Sequence, residues 1–155
     1  MPSEVVATNR RARHEYAILD TIEAGIGLTG PEVKSVRARR VSLAEAYAQV
    51  EDGQVAIIGM HIARYDAGGR QVAAEPARNR KLLLHKGEIR RLERAVREKG
   101  VTLIPLRMYF NSRGYAKVEL GLCRGKREYE KREAIKRRDE QRRTEQAIRE
   151  YQRRR

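Results

Sequence analysis

The residues that decide the fold lie between positions 46 and 62, where the chain reads AYAQVE (46–51), DG (52–53) and QVAIIGMHI (54–62). The two flanking runs are rich in β-branched, aromatic and other apolar residues, as is typical of strands. The dipeptide Asp52-Gly53 between them favours the tight turn that joins antiparallel strands. The stretch therefore predicts a β-hairpin.

Other segments extend this β pattern in both directions along the chain. The runs Val101–Phe110 and Tyr115–Leu122 predict a second hairpin, with its turn at 111–114. Further strands are expected at about 14–24 and at 81–84. Together these segments predict a mainly β fold with short helices, in which about six antiparallel strands close into a barrel of the oligonucleotide-binding type.

Two helices and one long loop are predicted between the strands. Gly30-Pro31-Glu32 begins the first helix, because proline suits the first helical position. The second runs from about Lys86 to Lys99 and ends at Gly100. Its inward-facing residues are predicted to be Ile89, Leu92, Ala95 and Val96. Residues 63–79 contain two glycines and a proline and predict an exposed loop.

The formal net charge of +14, with a pI near 10.5, favours a polyanionic partner: RNA, DNA or an anionic membrane surface.

Residues 124–155 hold 14 basic and 7 acidic side chains but few apolar ones. This tail therefore has too little apolar surface to bury. Acidic residues precede basic ones by four positions at five places in the tail, which supports a helix. The tail is therefore predicted to be disordered or helical, either as a solvated charged helix or as a segment that folds along phosphates. The predicted organisation is a flexible N-terminus (1–8), a folded RNA-binding body (9–123) and this basic tail (124–155).

The sequence contains no pattern that is typical of catalysis or metal binding. The three histidines lie far apart, Cys123 is the single cysteine, and no phosphate-binding or nucleophile motif occurs. We therefore expect neither an enzyme nor a cofactor. The N-terminus lacks the order of a signal peptide, and the longest apolar stretch is too short to span a bilayer. The sequence predicts a cytoplasmic monomer.

Basic side chains gather in three places. Asn9–His14 precedes the first predicted strand, Pro76–Lys81 precedes a later one, and Lys117 joins Gly125–Arg127 near the tail. Clusters of lysine and arginine on a small body are typical of proteins that neutralise nucleic-acid phosphates. The clusters therefore favour nucleic acid as the partner.

Six stretches of the chain resemble a known family when they are taken in order. They are Asn9–Tyr16, Glu23–Gly25, Glu32–Ala38, Arg80–Lys86, Lys117–Leu122 and Gly125-Lys126. Their order and spacing resemble the small protein B family, the SsrA-binding proteins of bacteria, over about residues 9–132.

The resemblance implies a function in ribosome rescue. It implies that the body binds the tRNA-like domain of transfer-messenger RNA (tmRNA) in place of an anticodon arm. The charged RNA is then delivered, with elongation factor Tu bound to it, to ribosomes stalled without a stop codon. The tail is implied to enter the empty mRNA channel, near the decoding centre of 16S rRNA.

The resemblance also implies which residues contact RNA: Glu23, Leu83 and Lys117. A carboxylate such as Glu23 accepts hydrogen bonds from base amino or imino groups, a leucine packs on a base or ribose, and a lysine contacts phosphate. The same surface is expected to include Asn9, Arg11, Arg13, His14, Arg80 and Lys81.

The tail residues implied to contact the ribosome are Gly125, Lys126, Tyr129, Glu130, Lys131 and Arg132. Glu130 stands where many members of the family have aspartate, and Tyr129 stands where some have histidine. Two other classes of protein are compatible with the same charge: a ribosomal protein permanently bound to rRNA, and an adaptor that uses the basic tail on a membrane surface.

Overall fold

The computed structural model describes residues 4–65 and 75–154, and the chain divides after Arg124 into two compact units. In chain order the elements are β1 (Glu4–Thr8), α1 (Arg10–Glu15), β2 (Tyr16–Ile26), α2 (Gly30–Arg37), β3 (Val41–Ser42), β4 (Tyr47–Glu51), β5 (Gln54–Ile58), β6 (His61–Ile62), β7 (Arg80–Leu83), α3 (Lys86–Lys99), β8 (Thr102–Phe110), β9 (Ala116–Gly125) and α4 (Lys126–Arg153).

Six strands form a closed ring in the order β8-β4-β5-β7-β2-β9, and β9 pairs back onto β8. The ring confirms the prediction of a mainly β fold with about six antiparallel strands. Its interior is filled by fully buried side chains from the strands of both hairpins, including Val55, Ile57, Leu103, Met108 and Leu120. Burial of this apolar core is the main force that closes the ring.

The hairpin predicted at 46–62 is confirmed as β4 and β5, which pair from Tyr47↔Ile58 to Glu51↔Gln54. Asp52 and Gly53 both have positive φ (51° and 71°), as a two-residue turn of this kind requires. The second run is shorter than predicted because Gly59, with φ 79°, breaks it. A Cβ at Gly59 would lie 2.5 Å from the carbonyl oxygen of Glu45, so only glycine fits. The chain beyond it forms β6.

Both predicted helices are present. Helix α2 begins at Gly30, where the Thr29 hydroxyl accepts from the Glu32 amide and the Glu32 carboxylate accepts from the Thr29 amide. Helix α3 ends at Gly100, which takes the left-handed conformation. Leu92 and Ala95 are buried as predicted, and Ile89 is partly buried. The inward placement of Val96 is wrong, because this residue is 40% exposed.

The N-terminal residues differ most from the prediction. Residues 4–8, expected to be flexible, form β1 and pair antiparallel with β8 through contacts such as Val5↔Tyr109. The basic segment that follows, for which no helix was predicted, forms the short helix α1 before β2. The predicted loop at 63–79 lies mostly outside the described residues, which end at 65 and resume at 75.

The second unit consists of α4, a helix of 28 residues. Its side chains are almost all exposed, and neither glycine nor proline interrupts it. Of the two states predicted for the tail, the structure has the helical one. The spacing of acidic and basic residues at i and i+4 supports such a helix without a buried face.

Candidate RNA-binding surface

Three residues that are distant in sequence meet at one cleft on the ring. Glu23 from β2, Leu83 from β7 and Lys117 from β9 line this cleft, which has a volume of about 510 Å³. Gly25, Leu84, His85 and Glu88 complete its lining. The structure therefore brings together the acidic, apolar and basic side chains that the sequence predicts as RNA contacts.

Glu23 is the exposed acceptor of the cleft, and a buried tyrosine holds its carboxylate. The Tyr109 hydroxyl donates a hydrogen bond to Glu23 Oε2, while Oε1 accepts none from the residues that the structure describes. Burial, reinforced by the neighbouring Glu23 carboxylate, raises the pKa of Tyr109 well above its usual value. The hydroxyl therefore stays protonated and continues to donate. The sequence alone does not reveal Tyr109 as part of the site, because no local pattern links residues 86 positions apart.

Leu83 forms an apolar platform on an otherwise polar surface. It is 53% exposed, and it lies opposite Gly25 in the pairing of β2 with β7. A Cβ added at Gly25 would come within 3.2 Å of the Leu83 Cβ, so the glycine leaves room for this side chain. Lys81 is also exposed and precedes Leu83 by two positions, on the same face of β7. An exposed leucine beside a lysine can contact a base or ribose and the adjacent phosphate.

Lys117 and the first turn of α3 close the other sides of the cleft. Lys117 is partly exposed and lies directly opposite Tyr109 across β8 and β9. Glu88 accepts a hydrogen bond of 3.0 Å from the His85 amide, which fixes the beginning of α3. His85 itself is exposed. Neither His85 nor Glu88 is predicted from the sequence as a binding residue, although His85 lies within the family-like stretch Arg80–Lys86.

The basic residues of α1 lie on a separate stretch of surface. Arg13 and His14 are exposed, as an RNA contact requires. Arg11 is exposed as well, but its guanidinium already pairs with Glu15 at 2.9 Å and with Glu45 at 3.0 Å. Part of the charge of Arg11 is therefore neutralised within the protein.

Asn9 is not an RNA-contacting residue in this structure, which corrects the prediction. Its side chain is 4% exposed. Its oxygen accepts from the Ala12 amide at 3.1 Å and caps α1, and its nitrogen donates to the carbonyls of Leu43 (3.2 Å) and Pro105 (3.0 Å). These bonds join α1 to two distant parts of the body, so Asn9 has a structural role.

Arg80 is a second correction, because its side chain is fully buried. Its guanidinium donates to Glu32 Oε2 at 2.7 Å and to the carbonyls of Met60 (2.9 Å), Arg78 (3.0 Å) and Pro76 (3.0 Å). Arg78 also pairs with Glu32, at 2.5 Å. The basic cluster predicted at 76–81 therefore turns two arginines toward one buried carboxylate, and only Lys81 remains available to RNA.

The Glu32 carboxylate predicts a loss of stability in acid. Burial alone would raise its pKa, but hydrogen bonds from Arg78, the Thr29 amide and Arg80 outweigh burial and lower the pKa to about 2. Because the pKa is lower in the folded chain, the stabilisation is complete above the usual value of 4.5 and is lost as the pH falls toward 2. We expect up to about 3 kcal/mol of unfolding free energy to disappear in this window.

Urea unfolding at pH 5, 4, 3 and 2 measures this loss of unfolding free energy. An equal pH dependence in Glu32→Gln would contradict the assignment.

The predicted ribosome-contacting residues lie at the start of α4. Gly125 is the N-cap, and Lys126, Tyr129, Glu130, Lys131 and Arg132 occupy the first two turns. Lys126, Glu130, Lys131 and Arg132 are exposed, whereas Tyr129 is half-buried. The described residues thus present a charged, regular helix at the positions that the sequence predicts for ribosome contacts.

Residues 4–65 and 75–154 contain no group of three or more His, Cys, Asp or Glu side chains placed to hold a metal ion. Within the same ranges, no helix has the length and apolar character needed to cross a membrane.

A ring of β-strands that carries a mixed acidic, apolar and basic cleft, together with a strongly basic helix, is typical of a small RNA-binding protein. Residues 6–150 match the family model described as SmpB protein. The chain therefore belongs to the SmpB family, which confirms the resemblance noted in the sequence.

Individual relatives agree over nearly the whole chain. The SsrA-binding protein of Moorella thermoacetica is 56% identical over 149 residues, covering 96% of each chain. The SsrA-binding protein of Levilactobacillus brevis is 52% identical over 150 residues, covering 97% of this chain and 94% of that protein. A solved chain described as "tmRNA-SmpB: a journey to the center of the bacterial ribosome" is 53% identical, with a TM-score of 0.65 over 81% of this chain and 85% of that one.

Proposed function

We propose that this protein binds the tRNA-like domain of tmRNA and brings it to ribosomes stalled on mRNA without a stop codon. The body takes the place of the missing anticodon arm, and the basic tail probes the empty mRNA channel near the decoding centre. The protein acts without catalysis, as a cytoplasmic monomer, and meets elongation factor Tu only through the charged RNA.

The convergence of Glu23, Leu83 and Lys117 on one cleft is the observation that carries this proposal. A purely electrostatic RNA-binding surface contains cations alone and does not distinguish one RNA from another. Here an exposed carboxylate and an exposed leucine lie beside the lysine, and both make contacts that depend on bases and riboses. The relatives named SsrA-binding proteins, and the solved complex whose name joins tmRNA to the bacterial ribosome, support this choice of RNA.

The experiment that tests the proposal is a gel-shift titration of the full chain against the tRNA-like domain, with excess bulk tRNA as competitor. The proposal predicts a complex that survives the competitor, because the cleft contributes contacts beyond phosphate neutralisation. A complex that the competitor removes would instead indicate nonspecific binding by a protein of net charge +14. In that case, permanent association with rRNA becomes the better interpretation.

Substitutions in the cleft are expected to weaken this complex about tenfold, equivalent to about 1.4 kcal/mol. Glu23→Ala removes the acceptor, and Lys117→Ala removes a cation beside it. The matched controls are Glu51→Ala at the tip of the first hairpin and Lys99→Ala at the far end of α3, both exposed. The controls are expected to stay within twofold of the unmodified protein. Equal losses in variants and controls would show that charge alone governs binding.

A further inference from the structure

Tyr109 connects the RNA-binding cleft to the body of the ring without being accessible itself. The residue is 6% exposed and is not among the residues that line the cleft. Its hydroxyl nevertheless donates a hydrogen bond to Glu23, the exposed acceptor of the cleft. The hydroxyl of Tyr109 therefore meets the cleft at the Glu23 carboxylate.

The strand register places Tyr109 under the cleft. Tyr109 on β8 lies directly opposite Lys117 on β9, and residues paired in this way point to the same face of the sheet. The tyrosine side chain thus lies beside the lysine and reaches Glu23 on β2 with its hydroxyl. Glu23 and Lys117 therefore share one buried aromatic neighbour.

A further contact holds the ring of Tyr109 in place. The guanidinium carbon of Arg107 lies 5.1 Å from the ring centroid, within the range of a cation–π contact. Arg107 Nε in turn donates to Glu119 at 2.8 Å. The chain of contacts from Glu119 through Arg107 and Tyr109 ends at the Glu23 carboxylate. The exposed Glu23 side chain is therefore held by contacts from within the fold.

We propose that Tyr109 is a positioning residue for RNA recognition, whose hydroxyl holds Glu23 Oε2 so that Oε1 remains directed toward a nucleobase N–H donor. The inference rests on the proposed function and deepens it. An acceptor that is already oriented loses less side-chain entropy on binding, and this gain appears as affinity. Removal of the hydroxyl leaves the exposed carboxylate hydrated and mobile, and that entropy must be lost when RNA binds.

The test is a double-mutant cycle of Tyr109→Phe and Glu23→Ala in the full chain, with the dissociation constant for the tRNA-like domain as the readout. Phenylalanine keeps the ring and its packing, so the unfolding midpoint should stay close to that of the unmodified protein. We expect Tyr109→Phe to weaken binding three- to tenfold when Glu23 is present and less than 1.5-fold when it is alanine. Tyr115→Phe is the matched control, because this tyrosine is 64% exposed and should have no effect.

The outcomes of the cycle separate the two proposals. Equal weakening by Tyr109→Phe in both backgrounds would overturn the positioning role, because the hydroxyl would then act without Glu23. No weakening by Tyr109→Phe, together with clear weakening by Glu23→Ala, would also overturn it while leaving the RNA-binding cleft intact. Full affinity in Glu23→Ala would overturn both the proposal that the cleft binds RNA and the positioning role of Tyr109.

Discussion

Arg80→Met is expected to lower the free energy of unfolding by about 3–5 kcal/mol, a large part of the 5–15 kcal/mol typical of a protein of this size. Methionine replaces the length of the side chain but none of its donors. Glu32 then loses one of its two cationic partners, and the carbonyls of Met60 and Arg78 lose the donor that Arg80 supplies. The Pro76 carbonyl keeps its hydrogen bond from the Ile62 amide. A buried carboxylate with one cationic partner fewer and two carbonyls without a donor cost more than the loss of packing.

Urea denaturation followed by circular dichroism measures this effect, with Lys81→Met as the matched control. Lys81 is the next residue on the same strand and is exposed, so its replacement should change the unfolding free energy by less than about 0.5 kcal/mol. Arg80→Lys keeps the charge but loses the planar fork, and it should also be clearly destabilised. An Arg80→Met protein as stable as Lys81→Met would contradict the structural role of this arginine.

The largest functional effect is expected from the double substitution Lys131→Ala and Arg132→Ala in α4. Peptide tagging on stalled ribosomes should fall at least a hundredfold, whereas binding of the tRNA-like domain should change less than twofold. Alanine favours helix, so α4 is retained while two positive charges are lost near its beginning. The loss therefore reports on contacts with the ribosome rather than on folding of the body.

The matched control for the tail is Lys136→Ala with Arg137→Ala, which removes the same charge from the same helix five residues further on. If these positions contributed only general attraction to rRNA, both double variants would lose activity equally. The proposed role of the Glu130-Lys131-Arg132 motif predicts that peptide tagging falls much further in the variant at 131 and 132 than in the control variant at 136 and 137. Loss of RNA binding by the tail variants would show that the body and tail do not have separate functions.

The parts of the fold that the sequence predicts are those set by local chemistry. Asp52-Gly53 defines one hairpin, Pro31 the start of α2 and Gly100 the end of α3, because each acts on its own neighbours. Helix α1 was missed because its six residues lack an apolar repeat. It is held by Asn9, whose side chain bonds to carbonyls 34 and 96 positions away, and no local pattern reports such partners.

The candidate site shows the same division. Charge along the chain indicates a nucleic-acid partner, but it does not distinguish exposed Lys81 from buried Arg80. That difference depends on Glu32, which lies 48 positions earlier. Family resemblance implies the roles of Glu23, Leu83 and Lys117, and their meeting at one cleft depends on the closed ring. Tyr109 beneath them emerges only from the three-dimensional structure.

Site-specific photo-cross-linking from the cleft to the RNA tests most directly whether this cleft is the RNA-binding site. The photoreactive residue p-benzoylphenylalanine replaces Leu83, which is 53% exposed, or replaces Val96 on α3, which is 40% exposed, as the control. With the tRNA-like domain and excess bulk tRNA present, we expect a strong cross-link from position 83 and little from position 96. A tight complex that cross-links equally from both positions, or not at all from position 83, would contradict the assignment of the cleft as the RNA-binding site.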